Sequence, residues 1–236
     1  MGITKRKKSD QALVPNGKTF NLTEAMELLK KVSSLKFDAS VDMQFKLNAD
    51  PNASDQVVRG TTILPSGTGK KVRVIVLSKD ESGQAALEAG ADVVGGNELI
   101  EKILKVWFDF DAVVASPSMM REVAKLGRVL GPRGLMPSPK AGTVTENLAK
   151  AVREIKKGRI EFKMDKRANL HCLIGKLSFE SKALAENAQA LLNAVAKARP
   201  KDFKGTFIRS AYLSSTMGPG LRLDPSVYRS KDEVND

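Results

Sequence analysis

The residues of this 236-residue chain with the clearest chemical signature are three cations in a segment rich in glycine and proline, residues 127–142. Arg128, Arg133 and Lys140 are the only charged side chains of this segment, which has no carboxylate, histidine or cysteine for acid–base or metal chemistry. Glycines and prolines punctuate it throughout, which predicts a loop. Long apolar loops are uncommon inside compact domains and are usually functional. The segment therefore indicates an anion that is held rather than a bond that is cut.

No other residues have the spacing of a catalytic or metal site. His171 and Cys172 are the only histidine and the only cysteine. Neighbouring strand side chains point to opposite faces, so the two cannot pair as base and nucleophile, and alone they cannot build a zinc site. Residues 67–71 contain Gly-Lys but lack the spacing of a phosphate loop, and no Gly-x-Gly-x-x-Gly fingerprint is present. We therefore predict no cofactor, no metal and no enzymatic activity.

The charge balance favours a polyanionic partner. Lys and Arg total 39 against 27 Asp and Glu, for a formal net charge of +12 and an isoelectric point near 9.8. Such an excess favours nucleic acid first and an anionic membrane surface second, while a basic protein without such a partner remains an alternative. No apolar run approaches the ~20 residues of a membrane span, so we predict no membrane. Residues 5–8 are all basic and predict an arm that touches phosphates, and the single cysteine fits a reducing compartment.

The two ends of the chain have the pattern of one antiparallel α+β domain. Asn21 heads a capping box before a helical apolar repeat, and residues 41–47 alternate like a strand with one covered face. The predicted elements are a helix at 22–32, strands at 41–47 and 56–64, a hairpin of 159–164 with 170–177, a helix capped by Ser181, and a last strand at 206–213. Neither end has enough strands to be stable alone. We therefore predict one discontinuous domain, residues 1–66 and 160–236, with an antiparallel sheet and helices.

The intervening residues 67–159 have the pattern of an inserted α/β domain. Residues 72–77 are nearly all apolar, as in a strand buried on both faces. Short apolar segments near 92–94 and 111–115 then alternate with predicted helices near 81–89 and 98–106, from Ser116 to Gly127, and from Thr145 to Gly158. This alternation predicts a small domain with a mostly parallel sheet.

A second unusual loop, residues 214–220, follows the last predicted strand. It is small, rich in hydroxyls and bears two glycines. Hydroxyls can donate to phosphates, base edges and 2′-hydroxyls, and A-form RNA offers a wide, shallow minor groove for such contacts. A tight surface turn is an equal alternative, but Lys36, Phe37 and Lys46 favour nucleic acid. For Phe37 alone, burial in the core is the stronger expectation.

Several of these segments together carry a family resemblance. They are residues 58–60, 67–70, 90–96, 127–140 and 212–220. They resemble the ribosomal protein L-one family of the bacterial type, in one register from about Lys5 to Asp224. The resemblance implies a discontinuous α+β domain with the main RNA site and an inserted three-layer α/β domain. It also implies binding to the mobile stalk region of large-subunit ribosomal RNA, release of exit-site transfer RNA, and repression of the protein's own messenger RNA through its leader.

The resemblance also implies the site residues. The RNA-binding positions it assigns are Glu27, Lys36, Phe37, Ser40, Lys46, Lys163, Lys166, Ser210, Thr216, Met217 and Gly218. The four lysines are expected on phosphates, Thr216 and Gly218 against the minor groove, and Met217 packed there. Arg128, Arg133 and Lys140 would add weaker contacts. We expect a monomer off the ribosome, located in the cytoplasm with the ribosome. The alternative is a nucleotide-binding enzyme that uses the inserted domain.

Overall fold

A computed structural model describes residues 10, 12–15, 17–32, 35–51, 53, 56–79, 82–105, 107–200, 203 and 205–228. The basic arm at 5–8 and residues 229–236 of the polar tail lie outside them. The chain forms two compact units: one takes the residues up to Gly69 and from Ile160 onward, and the other is Lys70–Arg159.

Seven α-helices and nine β-strands are present in the described residues. In chain order they are α1 (Leu22–Val32), β1 (Ser40–Leu47), β2 (Arg59–Ile63), β3 (Val74–Leu77), α2 (Ser82–Glu88), β4 (Val93–Gly95), α3 (Asn97–Leu104), β5 (Ala112–Ala115), α4 (Met120–Val123), α5 (Gly127–Leu130), α6 (Leu148–Lys156), β6 (Arg159–Lys163), β7 (Asn169–Lys176), α7 (Ser181–Lys197), β8 (Ile208–Ser215) and β9 (Leu221–Arg222). Short 3₁₀ helices lie at Pro117–Met119, Ala124–Leu126, Pro139–Ala141 and Pro225–Val227.

The first unit is built on a four-stranded sheet of order β7-β1-β8-β9, antiparallel throughout. The apolar residues of β1, such as Met43 and Phe45, are buried in one core with Met26 of α1 and Leu191 of α7. The two helices therefore cover one face of the sheet, and the polar residues of the strands form the other, open face. Strands β2 and β6 pair in a separate two-stranded sheet.

The second unit has a parallel sheet of order β4-β3-β5 whose central strand is covered on both sides. Ile75 and Leu77 of β3 pack in one cluster with residues of α3, α4 and α5. Val74 and Val76 pack in a second cluster with residues of α2 and α6. Alternate residues of a strand face opposite sides, so this apolar run produces three layers. The predicted α+β architecture with an inserted three-layer α/β element is confirmed.

The prediction that residues 127–142 form a loop without helix is wrong at both of its ends. Gly127–Leu130 forms the short helix α5, and Pro139–Ala141 is a 3₁₀ helix. Gly127 has helical dihedral angles (φ −56°, ψ −36°), so it continues the preceding helical turns instead of ending them. Leu126 and Leu130, four residues apart, are both fully buried. Burial of this apolar pair outweighs the low helix propensity of glycine.

Two predicted helix starts and the end of the sheet also differ. Asn147, rather than Thr145, caps α6, because its Oδ1 accepts a hydrogen bond from the amide of Lys150 at 3.1 Å. Glu180, rather than Ser181, precedes α7. The last long strand continues to Ser215, and β9 pairs with it, a strand that two residues are too few to reveal by periodicity.

None of the helices among the described residues has the length and apolar character needed to cross a membrane.

Candidate nucleic-acid interface

The open face of the antiparallel sheet gathers polar side chains from neighbouring strands. In β1 every second residue from Ser40 to Lys46 is half-buried on this face, while the residues between them are buried. The register sets Lys46 opposite Asn169 of β7 and Ser210 of β8. Directly opposite residues have Cβ atoms about 5 Å apart on one face. The predicted Ser40, Lys46 and Ser210 therefore share one face, with Lys46 and Ser210 as neighbours.

The loop of residues 214–220 is fixed to the start of β1 by Thr216. Val41 pairs with Ser215, so the chain leaves β8 directly beside Ser40. The amide of Thr216 donates to the Ser40 carbonyl at 2.9 Å, and the amide of Ser40 donates to the Thr216 hydroxyl at 3.2 Å. These contacts, the Thr216–Ser40 contact below, hold the loop at the edge of the open face.

The middle of this loop presents an apolar side chain from a strained backbone. Met217 has φ +69° and is 70% exposed, although left-handed backbone costs a residue with a side chain roughly 1–2 kcal/mol. The amide of Gly218 donates to the Ser215 carbonyl at 2.9 Å, and a Cβ on Gly218 would collide with the Ser215 hydroxyl. Strain held in place by surrounding contacts is typical of functional sites, so the loop has the character of a preformed binding element.

Phe37 lies on the surface, which contradicts the expectation that it belongs to the core. It is 55% exposed in the connection between α1 and β1, next to the exposed Lys36. The connection is anchored by Asp38, whose carboxylate accepts hydrogen bonds from the amide (3.0 Å) and hydroxyl (2.9 Å) of Ser178. Phe37 and Leu177 line a shallow depression there. The anchor fixes the backbone beyond the core, which leaves a cation and an aromatic ring at the surface.

The hairpin turn 165–169 is organised by Asp165 and contacts Lys46. The Asp165 carboxylate accepts from the amides of Asn169 and Arg167, both at 2.7 Å. The amide of Asn169 is the main cause of its lowered pKa. Lys46 Nζ donates to the carbonyl of Arg167, and Lys166 is exposed in the same turn. The structure thus brings Lys46 and the Lys166 turn together, with Lys163 exposed at the end of β6.

Two residues of this face were missed by the sequence reasoning. Lys176 is paired with Ser40 in the register, and its Nζ donates to the Ser40 hydroxyl at 3.1 Å. Asp42 lies half-buried in β1, where burial raises its pKa against the opposing charges of His171 and Lys176. Both depend on which residues face each other across strands far apart in sequence, and no local pattern shows that.

The other predicted site residues lie elsewhere. Glu27 is exposed on α1, and α1 packs against the covered face of the sheet, so Glu27 is not on the open face. Arg128, Arg133 and Lys140 are all exposed in the second unit. The Arg133 guanidinium stacks over the ring of Phe108 at 3.5 Å from its centroid. Such stacking restrains the cation while it stays accessible to an anion.

Comparison with known sequences agrees with this geometry. The ribosomal protein L1p/L10e family matches residues 29–219, a range that includes α1's last residues, both sheets and most of the 214–220 loop. The chain is 54% identical over 207 residues to the large ribosomal subunit protein uL1 of Protochlamydia amoebophila (strain UWE25), and 88% of each chain is covered. The chain therefore belongs to the ribosomal protein L1 family, whose members are structural proteins of the ribosome and not enzymes.

Proposed function

We propose that the protein binds the mobile stalk region of large-subunit ribosomal RNA, as a structural component of the large subunit of the cytoplasmic ribosome. The observation that carries the proposal is the Thr216–Ser40 contact, which holds an exposed, strained Met217 beside the open sheet face. The first unit, with both ends of the chain, is the RNA-binding domain in this proposal, and the second is an insertion. The name of the relative from Protochlamydia amoebophila supports the large subunit.

The chemistry of the surface suits an A-form RNA groove. Lys36, Lys163 and Lys166 are exposed cations without carboxylate neighbours that could bind phosphates. Thr216 and Gly218 offer a hydroxyl and a close backbone approach to the shallow minor groove, and Met217 packs against its sugars. Because the loop is already held in position, binding does not have to order it, which preserves affinity.

We also infer two consequences of stalk binding. The protein assists release of transfer RNA from the exit site, and the exposed Arg128, Arg133 and Lys140 add weaker RNA contacts from the second unit. The same first-unit surface binds the leader of the protein's own messenger RNA where that leader resembles the stalk. Ribosomal and messenger RNA then compete for one site, so repression begins when free ribosomal RNA is exhausted. Off the ribosome the protein is a monomer.

The proposal is tested by replacing Met217 with Asn. Asn tolerates left-handed backbone better than Met does, so the loop keeps its shape while the apolar contact is lost. We expect about tenfold weaker binding to a stalk-region RNA fragment and an unchanged melting temperature. Binding is measured with the purified protein across a salt series, against an unrelated RNA duplex of equal length.

The matched control is Leu104→Asn, which removes an apolar side chain exposed to 45% in the second unit. It should leave affinity for the stalk fragment within twofold, roughly the scatter of a neutral surface substitution. Equal binding of both RNAs that vanishes with salt would show that only the net charge acts. That result, or equal effects of Met217→Asn and Leu104→Asn, would overturn the proposal.

A further inference from the structure

A row of four side chains crosses the whole open face of the antiparallel sheet. Gln44 of β1 is paired with His171 on one side and with Tyr212 on the other, and Tyr212 is paired with Arg222 of β9. Strands lie about 4.8 Å apart, so the row spans about 14 Å. It contains an imidazole, an amide, a phenol ring and a guanidinium in that order, and the proposed RNA contacts do not use any of them.

The side chains of this row are available to a ligand. Tyr212 is 38% exposed, although tyrosine on a sheet usually packs on its neighbours. Arg222 is exposed, and the side chain of His171 is exposed to 65%. Within the part of the chain that the structure describes, neither the Tyr212 hydroxyl nor the Arg222 guanidinium has a hydrogen-bond or ion-pair partner. An aromatic ring with a free cation beside it is therefore presented to solvent.

The row is continuous with the 214–220 loop. Gln44 Nε2 donates to the Ser214 hydroxyl at 2.8 Å, and Ser214 is two residues before Thr216. This bond orients the amide and fixes it between the ring of Tyr212 and the loop. A ligand that packs against Met217 and follows the open face would reach Tyr212 next.

The charges along the face indicate which part of an RNA fits where. Cations lie toward the margins of the row, with Arg222 on β9 and Lys46 one row away, tied to the hairpin turn. Asp42 lies in the adjacent row, between Leu173 and Ser214. Its carboxylate disfavours a phosphate near the middle of the face, whereas an uncharged base can lie there. Bases stack on aromatic rings in single-stranded RNA sites regardless of sequence.

We propose that this row is a second RNA subsite that takes an unpaired nucleotide, with its base stacked on Tyr212, its edge at the Gln44 amide and a phosphate at Arg222. The proposal rests on the proposed function, since it extends the same interface. A fully paired duplex cannot use the subsite, because its bases are stacked inside the helix. The subsite therefore favours RNA with a loop or bulge beside the duplex that the 214–220 loop contacts.

The test uses the full chain and a fluorescein-labelled single-stranded oligoadenylate of about ten nucleotides, within the site sizes usual for single strands. Tyr212→Ser removes the ring, and the expected loss of affinity is about 5- to 150-fold, the effect of one stacked base. Tyr212→Phe keeps the ring and should bind within twofold of the parent protein. An equal loss in both variants, or none in Tyr212→Ser, would overturn the subsite.

A crosslink adds a direct readout that a structural role of Tyr212 would not give. An oligonucleotide of the same length with 5-iodouridine, irradiated with the protein, should crosslink to the peptide that carries Tyr212. Crosslinking only to peptides of the second unit would overturn the subsite. The melting temperature of Tyr212→Ser should equal that of the parent, because the side chain is exposed and lacks partners.

The subsite and the proposed function fail in distinguishable ways. Met217→Asn should weaken binding to the stalk fragment but leave binding to oligoadenylate unchanged. If it does so while Tyr212→Ser leaves oligoadenylate binding unchanged, the subsite is wrong and the stalk assignment stands. If only Tyr212→Ser weakens binding, the subsite is supported and the assignment of the stalk to the 214–220 loop fails.

Discussion

The four-stranded antiparallel sheet and the three-stranded parallel sheet of this protein differ in how many of their faces are covered. In β1 polar and buried residues alternate, whereas all four residues of β3 are buried. The antiparallel sheet therefore offers one face of fixed polar side chains to a ligand, and the parallel sheet offers none. In the second unit the exposed cations Arg128, Arg133 and Lys140 stand on short helices and turns instead. Coverage of the sheet, rather than net charge, decides which unit has an extended binding surface.

The largest effect that this comparison predicts comes from placing the same cation in the two sheets. Val76 is fully buried in the central strand of the parallel sheet, and Gln44 is on the open face of an inner strand. Val76→Lys buries an unpaired charge at a cost of several kcal/mol, comparable to the ~5–15 kcal/mol stability of a whole domain. We expect the second unit to unfold. Gln44→Lys should cost less than about 1 kcal/mol, since the ammonium reaches water.

The two units can be followed separately by their chromophores. Trp107 is in the second unit, and the two tyrosines, Tyr212 and Tyr228, are in the first. A red-shifted Trp107 emission in Val76→Lys without denaturant, beside a native emission in Gln44→Lys, is the expected result. Native emission in both variants would break the comparison, because it would mean that the covered face tolerates a charge.

Much of this contrast could be predicted from local sequence pattern. The apolar spacing in 22–32 gave α1 with its bounds, and the alternation in 41–47 gave β1, because burial of one helix face or one strand face dominates those segments. The run in 72–77 correctly predicted a strand covered on both faces. The glycine at 127 misled the prediction, since packing of Leu126 and Leu130 overrides its local preference.

The site was less predictable, because its geometry depends on pairing across the chain. The contact of Thr216 with Ser40 joins residues 176 positions apart, and the Lys176 bond to Ser40 spans 136. Lys36 and Thr216 could be named from the resemblance, but nothing in the sequence around Phe37 shows that its ring is exposed. Strand β9, which places Arg222 beside Tyr212, is too short to leave a pattern.

A buried amide in the first unit predicts an intermediate effect. Asn187 of α7 is fully buried. Its Nδ2 donates to the carbonyls of Gly67 and Ile174 at 2.9 and 2.8 Å, and its Oδ1 accepts from the amide of Ser66 at 2.9 Å. These bonds hold residues 66–67 to α7 and β7. Asn187→Leu leaves buried backbone groups unpaired, at about 1–3 kcal/mol for each group that finds no water. We expect a loss of about 3 kcal/mol.

The matched control is Asn193→Leu on the same helix, where the exposed amide accepts only from Gln189 at 3.2 Å. It should change stability by less than about 0.5 kcal/mol. Urea unfolding followed by tyrosine fluorescence or circular dichroism gives both values. If Asn187→Leu proved no more destabilising than Asn193→Leu, the contacts that tie residues 66–67 to the first unit would not stabilise it.

The smallest effect contrasts one aspartate from each sheet, because the two carboxyls are shifted in opposite directions. Asp111, at the start of β5, accepts a hydrogen bond from Lys70 Nζ at 2.6 Å. That bond is the main cause that lowers its pKa from 3.8 to about 2. Asp42, on the open face, has a raised pKa because burial disfavours its charge. The ionised carboxylate therefore stabilises the second unit and opposes folding of the first.

The pH dependence of the two Asn variants follows from these directions. A lowered pKa contributes stability that is present above the ordinary pKa and is lost as pH falls through the folded value. Asp111→Asn should cost about 1 kcal/mol at pH 7, as expected for a well-formed pair near the surface, and the difference from the parent should close between about pH 4 and pH 2. For Asp42 the sign is reversed: the folded state favours the protonated form, so the parent gains stability as pH falls through the raised pKa. Asp42→Asn should therefore equal or exceed the parent at pH 7, by up to about 0.5 kcal/mol, and lose that advantage in acid. Urea midpoints at several pH values decide the point. Two variants with the same sign at neutral pH would mean that the open and the covered sheet do not treat a carboxylate differently.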